Sequence, residues 1–187
     1  MELKDNHSHK GKILIANPFL QDPIFERSVI LMVEHNDEGA MGFILNQPTG
    51  ITIGEAFKQI KSCEFPVYYG GPIDNDILFY VHSMGDKTSN SIKISDNLYW
   101  GGDFPEICDL IKSGELSSDK IKFFAGYSGW SDLQLESEFE KESWIICDYK
   151  IDYVFNYANN NLWNKCLESI ENELSFFSKF AHTPSLN

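Results

Sequence analysis

The polar segment Glu34–Gly39 is the part of this chain best equipped for chemistry, because it places a histidine beside acids and amides between two apolar runs. Imidazole titrates near neutrality, so His35 next to Glu34 could act as a general base or as a metal ligand. Metal binding would need further ligands, which Asp22 and His82 could supply if the fold brought them together. The alternative, which we favour, is a turn in which Asn, Asp and Gly reverse the chain and His35 bonds to backbone.

Two glycine-rich blocks offer further chemical signals. Gly70-Gly71-Pro72 follows a predicted strand and could cradle an anion through backbone N–H groups, but it lacks a phosphate-loop pattern, which favours a tight turn. The block at residues 126–130, Gly-Tyr-Ser-Gly-Trp, stands between a predicted strand and a predicted helix, as a nucleophile elbow does. That motif requires glycine at the position of Trp130, so we expect Trp130 to anchor the following helix and Ser131 to cap it.

Short apolar runs predict the strands that must position these groups. The runs Val29–Val33 and Met41–Leu45 predict two strands joined by a hairpin-like loop of about five residues. Further strands are predicted at residues 13–16, 67–69, 77–82, 91–94, 121–127 and 144–147. The run at 77–82 is apolar throughout, which predicts that both of its faces are covered.

Helix signals separate these strands. Thr52-x-x-Glu55 and Ser131-x-x-Gln134 resemble capping boxes and predict helices to about residues 61 and 142. A third helix starts at Asp103 and ends at Gly114, and the C-terminal region has a helical apolar stripe. Strands and helices are mixed without strict βαβ alternation, which favours an α+β fold. We expect residues 1–10 to form a flexible tail and residues 11–187 to form a single domain.

Composition restricts the function classes. A net charge of −13 argues against direct nucleic-acid binding, which depends on neutralising phosphates with Lys and Arg. The apolar runs are far shorter than the roughly 20 residues that span a bilayer, and the N-terminus is polar, so we expect a cytoplasmic protein without membrane contact. The cysteines lack metal-ligand spacing and are expected to be buried as small apolar residues, with no cofactor or metal: Cys63, Cys108, Cys147 and Cys166.

Taken together, these motifs resemble the YqgE/AlgH family of small bacterial proteins. The similarity runs through blocks at residues 11–18, 22–29, 34–36, 39–42, 46–48, 70–73, 126–130 and 134–136, and includes His82. The resemblance implies an α+β domain whose mixed sheet bends into a barrel-like form flanked by helices. It also implies a role in transcriptional regulation, which is the function assigned to the family by name. Gln134 and Glu136 become site candidates because they belong to a family block, whereas the other acids of that helix are expected to be solvated. This chain has Leu133 where the family usually has glycine.

These observations predict a non-enzymatic module that binds an unidentified small ligand or protein partner and acts in regulation indirectly. Two alternatives remain open: an enzyme of unknown class that uses His35 or His82 with nearby acids, and a transcriptional regulator that acts through a protein partner. The candidate pocket comprises Asn17, Asp22, Glu34, His35, Asn46, Gly70, Gly71, His82, Gln134 and Glu136.

Overall fold

The first apolar runs form the strands that they predict, and they pair as neighbours. β1 (Lys12–Ala16) pairs with β2 (Val29–Asn36), which pairs with β3 (Gly39–Ile44), all antiparallel. The computed structural model describes residues 8–156 and 161–181. Within the expected N-terminal tail, residues 8 and 9 hydrogen-bond to His35 of β2, while residues 1–7 lie outside the described residues.

The remaining elements complete an α+β fold. Their bounds are β4 (Pro48–Thr52), α1 (Ile53–Ala56), β5 (Pro66–Tyr69), β6 (Ile73–His82), β7 (Ser91–Ser95), β8 (Leu98–Gly101), α2 (Phe104–Lys112), β9 (Ile121–Ser131), α3 (Gln134–Glu140), β10 (Trp144–Asp148), α4 (Ile151–Phe155) and α5 (Leu162–Ala181). Two 3₁₀ turns, Lys58–Ile60 and Gly85–Lys87, lie in the connections. No helix in the described ranges is long and apolar enough to cross a membrane.

The long strand β9 joins the two halves of the sheet. Its first half pairs with β5 in parallel and with β6 in antiparallel orientation, and its second half pairs with β3. The main strand order is β10-β1-β2-β3-β9-β6-β8-β7, and β4 pairs with β5. The sheet curls until its ends approach, since Tyr149 after β10 donates from Oη to the carbonyl of Asp96, between β7 and β8, at 2.6 Å. The predicted barrel-like, mixed sheet is therefore confirmed.

Strand alternation divides the buried side chains between the two faces of the curled sheet. On β1, Ile13 and Ile15 pack into the cluster inside the curl with Phe43 and Phe124, whereas Leu14 packs on the opposite face beneath α3. A third cluster fills the space under α2 and the segment after α1, around Phe123. Helices α2 and α3 thus cover the outer faces of the sheet, whereas buried residues of α4 and α5 complete the core inside the curl.

Several boundaries differ from the sequence-based prediction. The loop between β2 and β3 is a two-residue turn at Asp37 and Glu38, since both strands extend into the polar segment. The capping box predicted at Thr52 and Glu55 is present, but α1 stops at Ala56 and gives way to a 3₁₀ turn. The strand at 77–82 begins earlier and is not covered throughout, because Ile77 is 47% exposed.

The start of α3 also differs from the prediction. Ser131 lies on β9, and Leu133 occupies the N-cap position without a side-chain capping bond. The backbone of Leu133 is left-handed, with φ of +60° and ψ of −1°, and its side chain is 69% exposed. A left-handed conformation costs a non-glycine residue about 1 kcal/mol, so glycine would suit this position better than leucine.

Leu133→Gly is therefore expected to stabilise the fold. Relief of the left-handed strain outweighs the greater backbone entropy of glycine in the unfolded chain, for a net gain of up to about 1 kcal/mol. Urea denaturation of the two proteins measures this difference. Asp132→Gly is the control, because Asp132 is exposed and has no positive φ, and it should lower stability. A loss of stability in Leu133→Gly as large as in the control would contradict the strain argument.

Candidate functional site

A cleft of about 510 Å³ opens where the turn between β2 and β3 meets β9 and the start of α3. We call it the β2–β9 cleft. Its polar rim is formed by Glu34, Asn36, Glu38 and Gln134, and its apolar floor includes Met41, Ile73 and Tyr127. Met41 and Tyr127 also pack against the core inside the curl, so the cleft lies at one mouth of that core. Such mouths of curled sheets are common places for ligand sites.

Strand register explains why these side chains meet. Met41 of β3 is paired with Glu34 of β2 on one side and with Gly129 of β9 on the other. Residues paired directly across strands point to the same face, so Glu34 stands beside the methionine at the edge of the cleft. A Cβ at Gly129 would approach Ile73 Cδ1 to 2.7 Å, which shows that glycine leaves the space that the floor side chains fill.

Glu34 and His35 face opposite sides of β2, because successive side chains of a strand alternate. His35 is directed at α3, where its Nε2 lies 3.1 Å from Glu136 Oε1. The other ring nitrogen, Nδ1, accepts a hydrogen bond from the backbone N–H of His9 at 3.0 Å, and the two imidazoles stack at 5.1 Å. The neutral ring therefore donates from Nε2 to the carboxylate, and both of its nitrogens are occupied.

A hydrogen-bonded network joins the cleft rim to the underside of α3. Gln134 accepts from the backbone N–H of Ser131 through Oε1 and donates from Nε2 to Glu138 Oε1 at 3.0 Å. The other carboxylate oxygen of Glu138 accepts from the indoles of Trp130 and Trp144, at 2.8 and 2.7 Å. The expectation that Trp130 anchors this helix is borne out, whereas the prediction of a solvated Glu138 is wrong.

Three of the predicted pocket residues hold backbone turns instead of lining the cleft. Asn17 accepts from the N–H of Phe19, and Asn46 accepts from the N–H of Val29 while it donates to the carbonyl of Arg27. Asp22 accepts from two successive amides, including that of Phe25 at 2.9 Å. The ring of Phe25 packs at 5.7 to 6.5 Å from the indoles of Trp144 and Trp130, so Asp22 helps to position this aromatic group.

The glycines at 70 and 71 allow a close approach between backbones. A Cβ on Gly70 would lie 2.1 Å from the carbonyl oxygen of Gly126, and one on Gly71 would lie 2.3 Å from three backbone atoms of Tyr127 and Ser128. The amide of Gly70 donates to Ala125, and its carbonyl accepts from buried Ser128 Oγ at 3.0 Å. The backbone at residues 70–71 thus crosses the backbone at residues 126–128 in direct contact. At this close-packed crossing, the Ser128 hydroxyl is hydrogen-bonded inside the protein.

His82 is a fully buried residue at the end of β6, separated from β2 in the sheet by β3 and β9. Its Nδ1 accepts from the N–H of Met84 at 3.2 Å, and its Nε2 donates to the carbonyl of Gly101 at 3.1 Å. Burial lowers the pKa of His82, which favours this neutral form. Ser91 Oγ lies 3.1 Å from the same Nε2, but a nitrogen that carries a proton cannot activate the hydroxyl as a base.

The structure thus separates the ten candidates into distinct groups. Glu34 and Gln134 line the cleft, and His35 and Glu136 form a pair on the other face of β2. The remaining six have the structural contacts described above. Among residues 8–156 and 161–181, no group of three or more His, Cys, Asp or Glu side chains is arranged to hold a metal ion.

The floor residues Met41, Ile73 and Tyr127 were not predicted, because they come from three strands that are distant in sequence. Ile73 is also followed by the polar run Asp74-Asn75-Asp76, which hid the start of its strand. The contact between Glu138 and Gln134 could have been predicted, because the two residues are four positions apart and so share a helix face.

Comparison with known proteins agrees with the fold and covers nearly the whole chain. The sequence profile of the AlgH-like family matches residues 13–175. A UPF0301 protein of Cytophaga hutchinsonii is 42% identical over 179 residues, covering 95% of this chain and 98% of the relative. Another, from Parabacteroides distasonis, is 39% identical over 180 residues, covering 95% and 91%.

Solved structures show the same architecture. The solution structure of AlgH from Pseudomonas aeruginosa has a TM-score of 0.72 at 26% identity, with both chains fully covered. A crystal structure of a protein from Corynebacterium diphtheriae has a TM-score of 0.70 at 22% identity, covering 83% of this chain and 84% of that one, and supports the fold alone. The profile match and the identity to full-length relatives lead to one conclusion: this chain belongs to the AlgH-like family.

Proposed function

We propose that this protein is a non-enzymatic binding module whose β2–β9 cleft takes a small ligand or a segment of a protein partner. The observation that supports this most is the cleft itself, because its volume of about 510 Å³ is in the range of small-molecule sites. Polar side chains stand around an apolar floor, as ligand sites require for orientation and burial. The polar groups include two carboxylates, Glu34 and Glu38, and none of the described residues that line the cleft is basic.

The contacts of the nucleophile and base candidates support a non-enzymatic role. His35 has both ring nitrogens engaged, Ser128 donates to a buried carbonyl, and His82 is held in a neutral form by backbone groups. A general base needs an accessible lone pair within reach of a substrate proton. The arrangement of these side chains therefore favours structural roles for all three.

We further propose that the protein acts in the cytoplasm and influences regulation through its ligand or partner, without direct contact with DNA or a membrane. The net charge of −13 supports this, because phosphate backbones repel an acidic surface. A regulator of transcription that works through a protein partner would use the same cleft, with the partner as its occupant.

An amide-shift titration with a protein-free small-molecule extract of bacterial cells tests the cleft. Signals of residues 34–41 and 127–134 should shift for the wild-type protein, because these segments line the cleft. Met41→Trp fills the floor and should raise the apparent dissociation constant by roughly tenfold, which corresponds to about 1.4 kcal/mol. Glu26→Gln is the matched control, because Glu26 is exposed and does not line the cleft. Unchanged shifts in Met41→Trp would reject this site.

An enzyme of unknown class is the second candidate, and the contact between His35 and Glu136 is the observation that favours it. A carboxylate 3.1 Å from Nε2 would orient the ring, as in base-and-orienter pairs. Catalysis would require the N–H of His9 to leave Nδ1. Turnover of a test ester or phosphate ester that is lost in His35→Gln would favour the enzyme over the binding module. Turnover that is equal in both proteins would argue against it.

A further inference from the structure

A second cavity, of about 800 Å³, lies between the segment at residues 58–65 and the end of α2. Its lining includes Lys58, Lys61 and Lys112, and one acid, Glu64. Three of the fifteen basic residues of a chain with net charge −13 thus surround one cavity. Because a cleft lined mainly by one sign of charge concentrates the field, this cavity is a local positive site on an acidic protein.

The positive charges of this cavity are available to a ligand. Lys112 Nζ lies 3.3 Å from Asp109 Oδ1, but both side chains are largely exposed, and such a pair is weak in water. In the part of the chain that the structure describes, neither Lys58 nor Lys61 forms an ion pair. An incoming anion would therefore displace little existing interaction.

The backbone beneath the lysines is fixed by local hydrogen bonds. The N–H of Gly54 donates to the carbonyl of Cys63 at 3.0 Å, and the N–H of Cys63 donates to Ile60 at 2.8 Å. The side chains of Ile60 and Cys63 are buried in the cluster under α2. The loop that carries Lys58 and Lys61 is thus anchored from below, so the cavity exists before any ligand arrives.

The Glu64 carboxylate repels an anion, but the three lysines outnumber it. Two further groups at the cavity could repel an anion, but neither does so strongly. The carbonyls at the C-terminal end of α2 are partly neutralised, because the amides of Ser113 and Gly114 donate to Asp109 and Ile111. The Cys63 thiol stays uncharged, because burial raises its pKa. Apolar side chains of Phe65 and Ile111 form the rest of the wall and suit the organic part of a ligand.

We propose that this cavity binds a small organic phosphate through Lys58, Lys61 and Lys112. The ammonium groups of lysine act as point charges for phosphate oxygens, and a multiply charged anion would be shared among all three. The cavity is formed by different residues from the β2–β9 cleft, so it would constitute a second site on the protein.

Titration of the labelled full-length protein with inorganic pyrophosphate, followed by amide chemical shifts, tests the proposal. We expect saturable shifts in residues 58–65 and 111–113. The double variant K58A/K61A should bind at least about tenfold more weakly at low salt, since screening weakens such contacts. The charge-matched control K120A/K141A removes two exposed lysines outside the cavity and should change the affinity less than twofold.

Three results would overturn this assignment. These are shifts that do not saturate, shifts that map away from the cavity, and equal weakening in the double variant and its charge-matched control. The variant K58Q/K61Q retains most of the apolar stems and gives a second readout if the alanine variant loses its folded amide spectrum. The outcome is independent of the β2–β9 cleft, because Met41→Trp should leave pyrophosphate binding unchanged.

Discussion

Glu138→Ala is expected to lower the free energy of unfolding by about 3 kcal/mol, one of the two largest effects that we predict. The carboxylate accepts from the indole N–H groups of Trp130 and Trp144, and both tryptophans are only 6% exposed. Removing the acceptor leaves two nearly buried donors without a partner, and each such donor costs about 1 to 3 kcal/mol. It also frees the amide of Gln134, at the rim of the cleft.

Urea denaturation measures this effect, and tryptophan fluorescence reports directly on the two indoles. Glu140→Ala is the matched control, because Glu140 lies on the same helix and is exposed. Its loss should change stability by less than about 0.5 kcal/mol. Equal effects of the two substitutions would mean that the indole contacts do not hold α3 in place.

Gly71→Ala is expected to cost at least about 3 kcal/mol or to prevent folding, because overlap with backbone cannot be relieved by a rotamer change. An added Cβ would lie 2.3 Å from the backbone of Tyr127 and Ser128, and the residue has φ of +152°. Either β9 or the segment before β6 would have to move. Because β9 joins the halves of the sheet, this strain would spread through the whole domain.

Gly50→Ala separates this steric effect from the cost of a positive φ. Gly50 has φ of +82°, and an added Cβ would meet nothing within 4 Å. Its replacement should cost only about 1 kcal/mol. Thermal unfolding of the two variants gives the comparison. A Gly71→Ala protein as stable as Gly50→Ala would show that the crossing is not close-packed.

Local patterns predicted the strands and helices with strong apolar periodicity and missed those without it. β4 (Pro48–Thr52) was not predicted, because all but one of its residues are exposed and Pro and Gly interrupt it. β8 (Leu98–Gly101) was also missed, because it is only four residues long. The left-handed Asn97 before it is typical of a tight hairpin turn. The left-handed Leu133 delayed the start of α3, against the capping signal.

The site could be predicted only in part, because pairing between distant segments creates it. Glu34 was singled out from a polar motif and Gln134 from the family resemblance, and both line the cleft. Their proximity depends on β3 pairing with β9, which no local periodicity reveals. The same local logic grouped His35 with Glu34, whereas strand alternation directs them to opposite faces. The cavity that Lys58, Lys61 and Lys112 line could not be predicted either, since Lys112 comes from a different segment of the chain.

Native mass spectrometry of the protein purified under non-denaturing conditions tests the binding-module account most directly. We predict an additional bound mass on the wild-type protein and on Glu26→Gln. The dissociation constant should rise by roughly tenfold in Met41→Trp, which corresponds to about 1.4 kcal/mol of lost binding, so the occupancy should fall. Unmodified masses for all three proteins, or equal occupancy in the wild-type protein and Met41→Trp, would contradict a ligand site in the β2–β9 cleft.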